Sequence, residues 1–265
     1  MLVAGSALQA GLLATSALFN SGTGIFYLED QVVPANPGST SLVYVRPGTF
    51  IAADPGTSQL GGSFLATGVA TYGNLTTRIA ASVSGSDTFP SITIYSSVFF
   101  FDTLTFFTPT GGNGTASLSV TMDGFGSVTQ SLGPAGVYGR AYGGLLAGES
   151  GAELVWQHPD VTNASVTVTL LSQPIPFVSG VPVNIVVGLA ANLWFRCANT
   201  DLLPNACNDW FGTGVTDFGH TALLTGIGLF DSTGAPINTF DISSESARPM
   251  DLMESFPNPT VRFCA

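Results

Sequence analysis

Residues Thr216–Ser246 read "TDFGHTALLTGIGLFDSTGAPINTFDISSES". From His220 to Phe230 apolar residues alternate with small or polar ones, the period of a strand with one buried face. "DSTGAP" then supplies Asp, Gly and Pro, the residues that turns select, and "INTFDI" returns as a second apolar run. The pattern predicts a β-hairpin. His220 and the acids Asp217, Asp231, Asp241 and Glu245 fall at its ends and turn, so the stretch reads as framework, not as a site.

The same grammar recurs along the chain. Strand-like runs start at Ile25, Ser41, Thr77, Ser91, Thr115, Ala152, Ala164, Val181 and His220, and end with Ile237–Ile242, separated by short turns rich in Gly, Pro, Asn and Asp. Ten or more such strands predict an all-β chain, a jelly-roll-like antiparallel β-sandwich with an extended N-terminal segment. "TPTGGNGT" from Thr108 reads as a further hairpin connection, because Gly tolerates positive φ. The Gly-rich residues 133–150, weakly patterned, read as a long surface loop. The organisation expected is an apolar segment over residues 1–24 and one sandwich domain over 25–265.

Composition narrows the function classes. The 265 residues include six Arg, no Lys and seventeen acids, a formal net charge of −11. Such a field repels nucleic acid and anionic lipid, so no nucleic-acid partner is expected. Apolar residues at 45% exclude a disordered chain. Scarce charge with abundant Ser, Thr, Asn and Gly matches the surface of a secreted, extracellular or cell-surface protein.

No charge precedes Glu29. Residues 2–19 lack the basic start of a secretion signal, and Ser6, Gln9, Thr15 and Ser16 interrupt them too often for a membrane span, so none is expected in the mature protein. Alternation along the segment fits an extended strand. It could be an ordinary first strand, or it could dock on the sheet edge of a neighbouring copy through Leu8, Leu12, Leu13, Leu18 and Phe19. Self-assembly with copies of itself is the leading expectation from this feature.

Signals for catalysis are weak. The two His, His158 and His220, have no ligand-spaced partner, and no nucleophile elbow, zinc-protease helix or phosphate loop occurs. No catalytic residue and no metal ligand is nominated. The single Asp residues in "FFDTL", "TMDGF", "FDSTG" and "FDISS" suit turn capping, with calcium as the alternative occupant. Cys197 and Cys207 bracket a short polar loop and could close a disulfide in an oxidising compartment. Trp194 and Trp210 flank that loop and could stack on sugar rings or pack over the disulfide, which gives the second expectation, a carbohydrate-binding module for extracellular polysaccharide.

Three blocks carry a family resemblance. These are Thr216–Ser246, the run "FFDTLTFFTPTGGNGTASLSVTMDG" at Phe100–Gly124, and "IPFVSGVPVNIVVGLAA" at Ile175–Ala191. Their order and spacing resemble the body of exported bacterial proteins that carry a PEP-CTERM sorting tail. In the first block the matching residues include Asp217, Phe218, His220, Phe230, Asp231, Phe240, Ile242, Ser243, Ser244 and Ser246. The Pro-Glu-Pro tail itself does not occur in residues 1–265, and "SSESARPM" stands where the group has a glycine. The resemblance implies export to a surface or matrix rich in polysaccharide. It implies no catalytic residues.

Overall fold

The computed structural model describes residues 11–20, 24–34, 42–53, 59–85, 89–130, 137–150, 152, 157–197, 210–246 and 260–263. Fourteen strands form two seven-stranded sheets. The first contains β1 (Gly11–Asn20), β2 (Gly24–Pro34), β6 (Phe89–Phe107), β8 (Val137–Glu149), β11 (Pro182–Cys197), β13 (Thr239–Ser244) and β14 (Thr260–Phe263). The second contains β3 (Leu42–Ala53), β4 (Gln59–Thr71), β5 (Asn74–Gly85), β7 (Asn113–Gln130), β9 (Ala164–Leu171), β10 (Ile175–Val178) and β12 (Trp210–Asp231). Every pairing is antiparallel except β13 with β14. The chain is an antiparallel β-sandwich.

In the first sheet β11 runs between β8 and β6, and the other edge of β6 is shared by β1 and β13. In the second, β12 lies between β5 and β7, whose far edge carries β9 and β10. Side-chain alternation sorts these long strands into an inner and an outer face. Ile92, Ile94, Val98, Phe100, Leu104 and Phe106 of β6 and Ile185, Val187, Leu189, Leu193 and Phe195 of β11 are all buried in one core. They meet Leu118, Val120 and Met122 of β7 and Phe218, Ala222 and Leu224 of β12.

The opening stretch corrects the expected hairpin. Phe230 bridges Pro236, and Ile237 N–H donates to the Leu229 carbonyl, but the chain then leaves the second sheet, and β13 pairs with β6 in the first. The turn is therefore an arch between sheets. Its Asp231 carboxylate accepts from Thr233 N, Thr233 Oγ1 and Ala235 N at 2.7–3.0 Å, which is the turn-capping role expected of a lone Asp. "TPTGGNGT" is likewise an arch, from β6 to β7, with Gly111 and Gly112 at φ +64° and +93°. Local turn chemistry specifies a reversal. It does not specify which sheet receives the returning strand.

β12 is also longer and less regular than its alternation suggests. Its register slips between Phe218 and Ala222 and again between Leu224 and Gly226. His220 thus lies in a bulge inside a strand, not at a strand end, and Asp217 caps the bulge by accepting from Gly219 N at 2.7 Å. The second slip shifts the buried set from Ala222 and Leu224 to Ile227 and Leu229.

The Gly-rich residues expected to be a loop form β8, a strand buried against β11. The reason is packing. A Cβ on Gly143 would stand 2.5 Å from the Phe218 ring, and one on Gly124 of β7 would stand 2.0 Å from it. Phe218 is fully buried, so the ring occupies a slot that only glycine leaves open, on its neighbouring strand and on the opposite sheet.

In the N-terminal segment, β1 is hydrogen-bonded along both edges within its own chain, to β2 and to β6, as an ordinary first strand would be. Register sets Leu12, Leu13, Leu18 and Phe19 opposite Phe100, Phe99, Ile94 and Thr93. Leu8 and the expected strand at residues 153–156 lie outside the described residues.

One buried charge locks β13 to β6. Asp102, 1% exposed, accepts from Ser244 Oγ at 2.6 Å, Ser246 Oγ at 3.0 Å, Thr103 N at 2.8 Å and Ser246 N at 3.2 Å. Glu245 adds an acceptor for Thr103 Oγ1 at 2.7 Å. Burial raises the Asp102 carboxyl above its ordinary range, and the four donors oppose but do not cancel that shift.

Two predictions follow from this packing. Asp102→Ala strands four donors and should cost about 2–4 kcal/mol in urea unfolding. Because the native carboxyl holds its proton to higher pH than the unfolded one, its contribution is most favourable below about pH 4 and is lost as pH rises through the raised folded value. Asp102→Asn should therefore gain stability relative to wild type as pH climbs through that window. Gly124→Ala should cost about 1–3 kcal/mol by overpacking, and combining it with Phe218→Leu should cost clearly less than the sum of the two single changes.

Candidate glycan-binding groove

The outer face of the first sheet carries a polar-aromatic groove of about 680 Å³. It begins with two short strand patterns. In "NLWFR", Asn192, Trp194 and Arg196 are two apart on β11 and share the outer face, while Leu193 and Phe195 between them are fully buried. In "GRAY", Arg140 and Tyr142 stand likewise on β8, flanking the buried Ala141.

Antiparallel register brings the two patterns together. Trp194 lies between Thr93 of β6 and Arg140 of β8, and Asn192 between Tyr95 and Tyr142. His158 completes the rim, from the segment that follows β8 and returns along its free edge, where Gln157 bridges Leu145 and Asp160 bridges Tyr142. The strand carrying the groove is held from behind. Thr216 of the opening stretch, fully buried, donates its hydroxyl to the Asn192 carbonyl at 2.9 Å.

The groove is cationic in an acidic protein. It holds two of the six Arg in a chain of net charge −11. Arg140 donates to the Tyr142 hydroxyl at 3.1 Å and stands 3.9 Å from the Asp160 carboxylate. Asp160 is committed to its own turn, where it accepts from Thr162 N at 2.9 Å. Thr162 and, to a lesser degree, Arg140 hold the Asp160 carboxyl below its ordinary range. An exposed pair at 3.9 Å contributes little and leaves most of the guanidinium available. Arg196 is exposed and forms no ion pair among the described residues.

The sequence-predicted residues distribute unevenly. Trp194 lines the groove, and Trp210 starts β12 in the other sheet, its side chain lying outside the described residues. Tyr142, from the stretch read as a loop, lines the groove together with Trp194. Cys197 is fully buried at the end of β11, and Cys207 lies outside the described residues. Asp102, Asp123, Asp231 and Asp241 do not converge, and among the described residues no three His, Cys, Asp or Glu gather to hold a metal ion. Among the described residues no helix is long and apolar enough to cross a membrane.

Sequence reasoning missed Thr93, Arg140, Tyr142, His158, Asn192 and Arg196. The signal for four of them was present as alternation in "NLWFR" and "GRAY", and the pairing of β8 with β11 was not. Asn192→Ala removes a side chain from the groove without touching the carbonyl that Thr216 holds. It should leave the thermal midpoint within about 2 °C, whereas Thr216→Val should lower it by about 4 °C or more, measured by circular dichroism.

No family model and no curated protein matches the chain. Among solved structures, a chain from the structure of the infectious bursal disease virus Gx strain is 6% identical, with 84% of this chain and 68% of that chain covered and a TM-score of 0.13. A likeness that slight carries no argument.

Proposed function

We propose that this protein is a non-catalytic polysaccharide-binding β-sandwich of the cell surface or extracellular matrix. The observation that carries the reading is the row Thr93–Trp194–Arg140 beside Tyr95–Asn192–Tyr142 on one rigid sheet face. A half-buried indole offers an apolar plane to the face of a sugar ring, while Asn and Thr side chains supply the directed hydrogen bonds that ring hydroxyls require. Sites on strands hold such groups more exactly in place than loops do. The groove's described lining is aromatic, amide, hydroxyl and cationic, a set suited to recognition of a polysaccharide.

Export is part of the proposal. A Cys197–Cys207 disulfide would close the connection between β11 and β12 at the end of the strand that carries the groove, and would require an oxidising compartment. The assembly reading remains a second proposal, resting on β1 filling a slot along β6 that a neighbouring copy could fill instead. Deletion of residues 1–20 would then leave a protein that takes up the corresponding peptide in trans, detected by fluorescence polarisation; no uptake would reject strand exchange.

Affinity electrophoresis through gels of several polysaccharides tests the main proposal. Retardation by at least one is expected, and Trp194→Ala should weaken it tenfold or more, about 1.4 kcal/mol. Mobility unchanged in every gel would overturn the reading.

A further inference from the structure

Resting on that reading, we infer that the saccharide is acidic: a uronate-bearing glycan whose ring stacks on Trp194 and whose carboxylate is held by Arg140 and Arg196.

The charge distribution makes the argument. A neutral glycan is bound adequately by Trp, Tyr, Asn and Thr, and nothing in its chemistry calls for cations. The chain uses Arg sparingly, six in 265 residues with no Lys, yet two of the six flank one indole. Arg140 is the cross-strand neighbour of Trp194, and Arg196 is two residues along the same strand and face. They therefore flank Trp194 from two directions, Arg140 at the roughly 5 Å of a directly opposed cross-strand position and Arg196 at the roughly 7 Å of positions two apart on one strand. That span matches a pyranose ring with one charged substituent. A guanidinium presents a planar fork that pairs with a carboxylate through two parallel hydrogen bonds, and it does so without losing charge at any physiological pH.

The rest of the molecule sets the kind of acid. With a net charge of −11, a densely charged polymer lying across the surface would be repelled beyond the groove. A glycan with an isolated uronate between neutral sugars places its charge where the two Arg are and keeps repulsion elsewhere low, screened further over the roughly 8–10 Å Debye length of ordinary ionic strength. Asp160 stands 3.9 Å from Arg140, and its commitment to Thr162 leaves the Arg140 guanidinium available for a second carboxylate, while Arg196 forms no ion pair among the described residues.

The test uses the full chain and matched ligands. Galacturonate, glucuronate and mannuronate oligosaccharides are each compared with their methyl esters by isothermal titration, so that ring and linkage stay fixed while the charge is removed. At least one acid form should bind tenfold or more tightly than its ester. Arg196→Gln and Arg140→Gln should each cut that preference at least threefold without weakening ester binding, while Arg78→Gln, whose partner is Asp217 on the other sheet, should leave it unchanged. Equal binding of acid and ester, abolished by Trp194→Ala, would overturn this inference and leave the polysaccharide-binding reading standing. Absence of binding to every acid and ester here, together with no retardation in the neutral gels, would remove both. A preference for acid that survives both Arg substitutions would also overturn the assignment.

Discussion

The Phe218 ring needs a volume that only glycine leaves open, and much of the molecule is arranged around meeting that need. Gly124 beside it on β7 and Gly143 opposite it on β8 are the two positions where a Cβ would collide with the ring. Their absence of side chains lets the sheets approach closely at this point and fixes β8 against β11. The same device recurs, with Gly214 of β12 under Leu193 and Phe195, and Gly68 of β4 under Val98. Large residues from one sheet sit over small ones on the other, as dense packing requires.

The groove is a consequence of that packing. With β8 held in register, Arg140 and Tyr142 are delivered to the outer face next to Trp194 and Asn192. Thr216, two residues before Phe218 on the same strand, reaches the backbone of β11 directly beneath Asn192. The stretch that first suggested a site through its His and acids thus acts from the core side. Its conspicuous polar residues hold a turn, a bulge and a strand, while the groove lies on the opposite surface of the neighbouring sheet.

Two distant motifs of the chain form one unit in the fold. "FDTL" and "ISSES" are separated by about 140 residues in the chain, and in the fold they meet, with Asp102 receiving Ser244 and Ser246. A buried carboxylate without those hydroxyls would be strongly unfavourable, so the two motifs form one unit. This gives Asp102, Ser244 and Ser246 a structural role.

What the sequence determined by itself was the class of fold and the sorting of faces, because period-2 alternation and turn residues are local properties that survive in the tertiary structure. β6, β9, β11 and β13 were legible in that way, and so was the shared face of Asn192, Trp194 and Arg196. Only the tertiary structure decided which strand pairs with which. The turns at Asp231 and Thr108 look alike whether the chain folds back on its own sheet or crosses to the other. Residues 137–149 look like a loop until Phe218 is placed over Gly143, and β1 looks detachable until β2 and β6 bind both its edges. Pairing partners are chosen by long-range packing and hydrogen bonding, which leave no mark on a neighbouring residue's identity, and the groove exists only as a product of that choice.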